Sequence, residues 1–354
     1  MVAALDLGSN GVSRGGSSPP IRTASRPNMN LWSIYHPDIP HFLQELSSTA
    51  AMQRLNQVGM NCGCEYTNFP LFHGLQPYSR YTHSVGVGLI VWHFTQSVQQ
   101  STAALLHDIA TPVFAHVVDF LHGDHIRQES TEDHTLQVIA DDKELVNKLK
   151  ALSLSPEDVA DYHLYPIADN NTPRLSADRL EYTLGNIVNF GFDTPDTVKH
   201  LYEDLCVGAN EEGNPEIMFR HLDEASLFAR LSLRCSKVYV SDEDRYAMQM
   251  LAELLKEAIN ANVITMEDLM LTEPDIIRKL NNNLVCADKW TQFRQYQVII
   301  CGNDHPKARI IQAKKRCIDP FVLDQKRVSK LDFEYQMDLE SYLQNNFDYY
   351  IYAK

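Results

Sequence analysis

The sequence predicts a mainly α fold, a helical bundle followed by a small β-containing C-terminal appendage. From about residue 38 to 295, apolar side chains recur at helical spacing. "SPEDV" at 155–159 and "TPDTV" at 194–198 place a hydroxyl residue before Pro and early acids, the signature of a helix start. After about 290 the pattern changes to short β-prone runs, "QYQVIICG", "ARIIQAKKRCI" and "FEYQM", separated by turn residues.

Taken in order, "GSNGVSRGGSSPPIRTASRPN" at 8–28 has no apolar periodicity and reads as a disordered leader or added extension, with Met29 a plausible natural start. "DIPHFLQELSSTAAMQRLNQVG" has helical spacing and stops at Gly59, a C-terminal helix signal. Further helices are predicted over about 82–99, 101–109, 112–121, 132–140, 143–151, 156–162, 174–189, 194–205, 216–235, 242–261, 266–270 and 273–281. The expected organisation is a leader (1–28), a helical domain (29–290) and an α+β appendage (291–354).

A chain of 354 residues can bury a substantial core. Its formal net charge of −15 argues against a broad nucleic-acid footprint, which needs a basic face, but leaves room for a local basic pocket that takes a phosphorylated small molecule. The 7 cysteines are odd in number and scattered, as expected of reduced thiols in the cytoplasm. Cys62-Gly63-Cys64 is the only close pair, and no second pair completes a zinc site. The longest apolar run, "VGVGLIVW", falls far short of the ~20 residues that span a bilayer.

Chemistry concentrates in "AALLHDIATPVFAHVVDF" at 103–120. An apolar helix ends at His107-Asp108, so both side chains emerge at the edge of a core. Upstream, "SRYTHSVGVG" sets His83 near the start of a helix rich in small residues; downstream, "RLSADRLEYTLGN" sets Asp178 on a third helix. Imidazole and carboxylate donors together suit a borderline divalent metal, and a helical fold assembles such a site from several helices.

The order H…HD…D resembles the HD-domain metal-dependent phosphohydrolases. The flanking text is similar to the branch that includes deoxynucleoside triphosphate triphosphohydrolases: "RLNQVG", "YSRYTHSVGVG", "ALLHDIATPVFAH", "SADRLEYTLGN", "VYVSDEDRYAMQMLAELLKEAI", "TMEDLMLTEPDIIRKL" and "KKRCIDPFV" follow in that branch's order over about 50–325. The resemblance implies that His83, His107, Asp108 and Asp178 bind one divalent metal ion, with Mn, Fe, Mg, Zn, Ni and Co all open. It implies that His116 is the acid/base group and Asp119 its orienting partner; their i, i+3 spacing puts both on one face of a helix predicted to begin at Pro112. It further implies that Arg80, Arg179 and Tyr182 meet substrate phosphates, that Gln57 faces the sugar, and that the protein is a homo-oligomer.

The chain departs from that pattern at several positions. Thr111 stands where the family has a second His, and Thr131-Glu132 where it has His-Glu. Asn186 replaces an Asp near the sugar, while Tyr78 and Thr82 replace a His and an acid near the first ligand. Two functions follow as expectations. One is hydrolysis of a nucleotide or related phosphate ester, releasing either triphosphate or orthophosphate. The other is a regulatory protein that binds metal and nucleotide without turnover.

Overall fold

The structure is a computed structural model in which residues 30–118 and 134–354 are described. The expected leader and the candidate Asp119 lie outside the described residues. The fold is mainly α, with two small two-stranded sheets among the described residues.

In chain order, α1 (Trp32–Tyr35) precedes α2 (His41–Ser47) and α3 (Ala50–Arg54). The single helix expected here is broken at Thr49, whose ψ of 152° is extended, and its last turn tightens to 3-10 geometry at Leu55–Gln57. Then follow α4 (Arg80–Thr95), α5 (Val98–Leu106), α6 (Thr135–Asp141), α7 (Lys143–Ala151), α8 (Ala177–Asn189) and α9 (Pro195–Glu203). Strands β1 (Leu205–Ala209) and β2 (Pro215–Phe219) form an antiparallel hairpin with Val207 opposite Ile217. The helix expected from 216 therefore starts later, as α10 (Leu222–Tyr239).

Next come α11 (Asp242–Asn260), α12 (Glu273–Asn281), α13 (Leu284–Gln295), β3 (Ile299–Cys301), α14 (Phe333–Gln344) and β4 (Ile351–Ala353). The β-prone "FEYQM" is helical, because the Asp332 carboxylate accepts the Tyr335 N–H at 3.0 Å and caps α14. "ARIIQAKKRCI" contributes only a bridge from Arg309 to Ile351.

Helix α4 is the central element. Every residue from Arg80 to Val91 except Tyr81 is buried, as befits a helix that is apolar nearly all round. It packs against α5 and α8. A Cβ at Gly88 would stand 3.3 Å from the Leu105 Cβ, so the small residue sets how closely α4 and α5 approach. Two apolar clusters make the core, one around α4, α5, α8 and α10, the other around α11 to α13. The C-terminal residues feed both: Tyr335 and Tyr342 enter the first, Ile351 and Tyr352 the second. Among the described residues no helix is long and apolar enough to cross a membrane.

The expected helix over 112–121 does not begin at Pro112. Phe114 and Ala115 adopt left-handed φ values of 59° and 45°, and residues 113–116 form turns. The left-handed pair interrupts the helix, and the Val113 N–H donates to the Leu269 carbonyl at 2.8 Å. Two consecutive non-glycine residues in this region store local strain directly before His116.

Candidate metal centre and active-site cleft

Caps place the site residues. The Ser79 hydroxyl accepts the Thr82 N–H at 3.2 Å, which starts α4 and sets Arg80 and His83 within its first turns. Ser176 accepts the Arg179 N–H at 3.3 Å and does the same for Asp178, Arg179, Glu181 and Tyr182 on α8. His107 ends α5, and Asp108 opens a turn closed by the Thr111 N–H donating to its carbonyl at 2.8 Å.

These three elements bring His83, His107, Asp108 and Asp178 together. His83 Nε2 lies 3.0 Å from Asp178 Oδ1 and 3.9 Å from Asp108 Oδ2. His107 Nε2 lies 3.6 Å from Asp108 Oδ2 and 3.8 Å from Asp178 Oδ1. Donor atoms at about 2.1 Å around one ion are separated by about 3 Å when adjacent and about 4 Å when opposite. All four separations fall within that span. Both imidazoles also present the correct edge: His107 Nδ1 donates to the Ala104 carbonyl at 2.7 Å, and His83 Nδ1 to Glu181 Oε2 at 2.5 Å, leaving each Nε2 for a metal. His83, His107 and Asp108, with ligand atoms within 4.8 Å of one another, fit a divalent cation, and Asp178 Oδ1 lies against both imidazoles.

The charges agree with this use. Burial would raise the Asp108 carboxyl, but Arg80, His107, His83 and the Thr111 hydroxyl hold it well below the usual carboxylate range. Burial opposes ionisation of Asp178 as well, yet His83 and His107 lower it to about 2. Burial pushes the His83 imidazole down, and Asp178 and Glu181 outweigh it, raising it to about 10. Both carboxylates are therefore ionised at neutral pH, and His83 must release a proton when a cation takes its place.

The centre opens into a cavity of about 720 Å³, a size typical of small-molecule sites. Arg80 Nη1 donates to both Asp108 oxygens, at 3.2 and 3.0 Å, while its buried Nε has no hydrogen-bond partner. Thr111 Oγ1 donates to Asp108 Oδ1 at 2.7 Å and so fixes that carboxylate. Tyr182 lines the cavity, and burial raises its phenol to about 12, so it stays a neutral donor. Asn186, also in the wall, donates from Nδ2 to the Tyr239 hydroxyl at 2.8 Å and keeps its buried Oδ1 without a partner. His116 lines the cavity beside Arg316.

Two expected contacts are placed differently. Gln57 is exposed at the end of the 3-10 turn and is not among the residues lining the cavity. Arg179 reaches the cavity wall, but its guanidinium is engaged by the loop before α8: Nε donates to the Arg174 carbonyl at 2.9 Å, Nη2 to Asn170, and Nη1 pairs with Asp169 at 3.0 Å.

Glu181 and its partners are not apparent from sequence spacing, which leaves Glu181 equally consistent with a solvent-facing charge. It is 1% exposed and also accepts from the hydroxyls of Tyr78, at 2.5 Å, and Tyr35, at 3.4 Å. Two glycines make the room. A Cβ at Gly86 would stand 2.7 Å from the Glu181 side chain, and one at Gly185 only 2.5 Å from the Tyr78 hydroxyl. The available signal was position: Glu181 follows Asp178 by three residues and so shares its helix face.

No family model matches the chain. Over 297 residues, 80% of this chain and 85% of the relative, it is 24% identical to the uncharacterised protein YdhJ of Bacillus subtilis. Over 150 residues it is 29% identical to the metal-dependent phosphohydrolase cns2 of Cordyceps militaris, a match that spans 42% of this chain and 41% of that one. The crystal structure of a phosphohydrolase from Bacteroides thetaiotaomicron aligns over 89% of this chain and 96% of its own, with a TM-score of 0.57 and 12% identity. The two share a fold.

Proposed function

We propose that this protein is a metal-dependent phosphohydrolase acting on a nucleotide or a related phosphate ester. The observation that carries the reading is the convergence of His83, His107 and Asp108, whose ligand atoms lie within 4.8 Å of one another, with Asp178 beside both imidazoles, at the wall of a cavity that also holds basic side chains. The phosphohydrolase names of the Cordyceps relative and the Bacteroides structure support it independently.

When bound, a divalent ion there supplies a water of lowered pKa and polarises a phosphoryl oxygen. The chain's own residues do the rest. Arg80 keeps Asp108 ionised and oriented, and brings positive charge next to the reacting phosphoryl group. His116 is the group proposed to hold or deliver a proton at the leaving oxygen, with Asp119 as its orienting partner. Tyr182 and Asn186 offer a hydroxyl donor and a buried acceptor to the remainder of the substrate. A deoxynucleoside triphosphate is the finer reading that the motif order favours; a homo-oligomer in the cytoplasm completes the proposal.

The test is turnover by metal-loaded protein of dNTPs, NTPs, nucleoside monophosphates and cyclic nucleotides, with products resolved by chromatography. Turnover that needs Mn, Mg, Co or Fe and disappears in His107→Ala and Asp108→Ala supports the reading. Turnover unchanged in both variants overturns the metal centre, and metal binding without turnover of any substrate favours the regulatory alternative.

A further inference from the structure

Two carboxyl groups remote from the metal ligands meet at one glycine. A Cβ at Gly59 would stand 2.4 Å from Glu65 Oε1 and 3.5 Å from Glu273 Oε1, so both acids converge on the same stretch of backbone. Glu273 is buried and opens α12. Its Oε1 accepts the Gly59 N–H and its Oε2 the Tyr66 hydroxyl, each at 2.8 Å, and the Phe114 amide also donates to it.

The surroundings divide proton and charge unequally. Glu273 has those three donors, the favourable N-terminal end of a helix and the Arg80 guanidinium to support a negative charge. Glu65 accepts backbone amides from its own residue and Gly63, but its buried Oε2 has no hydrogen-bond partner. An ionised oxygen left that way is costly, so Glu65 keeps the proton. The other ionisable groups around the pair are the Tyr66 phenol and the Cys62 and Cys64 thiols, all raised by burial and neutral. Asp244 of α11, raised by burial to about 8, stands behind Cys64, 3.6 Å from its Sγ.

The pair sits where segments that build the cavity join. Gly59 bridges Ser79, the Met60 N–H donates to the Tyr78 carbonyl at 2.9 Å, and the Arg80 N–H donates to the Val58 carbonyl at 2.8 Å. Residues 58–60 therefore hold the start of α4, and Arg80 with it. Met60, Asn61 and Cys62 line the cavity, as do Ala115 and His116 directly after Phe114. One carboxylate thus fastens two stretches of cavity wall to α12.

We propose that Glu65 and Glu273 form a proton-operated latch on the cavity wall. With Glu65 neutral and Glu273 charged, the pair clamps residues 58–66 and the turn before His116 onto α12. Loss of the Glu65 proton sets two like charges at Gly59 and releases that side of the cavity. The latch goes beyond the phosphohydrolase reading and needs no turnover.

Amide hydrogen exchange read by mass spectrometry tests it, on full-length wild type, Glu65→Gln and Glu273→Gln between pH 5.5 and 8, with rates corrected for their intrinsic pH dependence. Burial and the Glu273 charge raise the Glu65 carboxyl to about 8, so the closed segment holds a proton that the open one releases across this window. In wild type, protection over 58–66 should fall about tenfold or more from pH 5.5 to 8, with exchange always faster than in α5, the mark of local opening. Glu65→Gln imitates the neutral acid and should stay protected at every pH. Glu273→Gln loses an acceptor and should exchange faster at every pH. The latch is overturned if wild-type protection does not change with pH, if Glu65→Gln keeps the wild-type pH dependence, or if 58–66 exchanges no faster than α5 at pH 8. The first and last of these outcomes are read on wild type alone, so the test stands even if a variant does not fold.

Discussion

His83 Nδ1 and Glu181 Oε2 are 2.5 Å apart inside the protein, and this contact decides which edge of the imidazole faces the cavity. Glu181 is in turn gripped by Tyr78 and Tyr35. Replacing it with Gln leaves an amide that cannot serve all three donors as well. Glu181→Gln should weaken Mn binding by roughly 10- to 100-fold, the usual effect of losing a carboxylate behind a metal-ligating histidine. Calorimetric titration measures this directly, and an unchanged affinity would contradict the role.

Thr111 acts more narrowly. Its hydroxyl donates to Oδ1 of Asp108, while Oδ2, which also accepts from Arg80, faces both imidazoles. Thr111→Val preserves shape and removes the donor, so metal affinity should fall by about tenfold, while Thr111→Ser retains it. Equal affinities for Val and Ser variants would show the hydroxyl to be irrelevant.

Gly185→Ala should destabilise the fold by about 1–3 kcal/mol, because the new methyl meets a buried phenol with little freedom to move. Gly88→Ala meets Leu105 at 3.3 Å, an easier contact, and should cost less. Urea midpoints of the two variants give the comparison.

Stability should also depend on pH through Glu65. Burial, and then the charge of Glu273, raise its carboxyl from 4.5 to about 8 in the folded protein. Between those values the folded chain keeps a proton that the unfolded chain has released. Its contribution is therefore fully present below about pH 4.5 and is lost as pH rises through about 8. Glu65→Gln should flatten the decline in urea midpoint between pH 5 and 8.5; parallel curves for wild type and variant would refute the assignment.

The helical body was legible because its signals are local: apolar spacing and hydroxyl caps announce α9 at Thr194 and Pro195 without help from the rest of the chain. The four metal-ligand candidates were legible because their order and flanking residues resemble a known pattern. What failed to show depends on distant partners. Pro112 looks like a helix start until Phe114 and Ala115 turn left-handed where the segment packs against Leu269. Residues 216–219 read as helix until β1 offers them a ladder. Glu181 gains its meaning from Tyr35 and Tyr78, each about a hundred residues or more away. Arg316 enters the cavity only because the chain after α13 folds back over the helical body.

That return is fastened by Arg245. Its side chain is completely buried, donates to the carbonyls of Val240 and Ile311 and to Asp242, and lies over the Phe347 ring at 4.3 Å. A charge enclosed this way cannot lose half of its surroundings without a large desolvation cost. We therefore expect the C-terminal residues and the helices to melt together, in one calorimetric transition, and a chain cut after residue 310 to lose its native state rather than survive as a smaller folded unit.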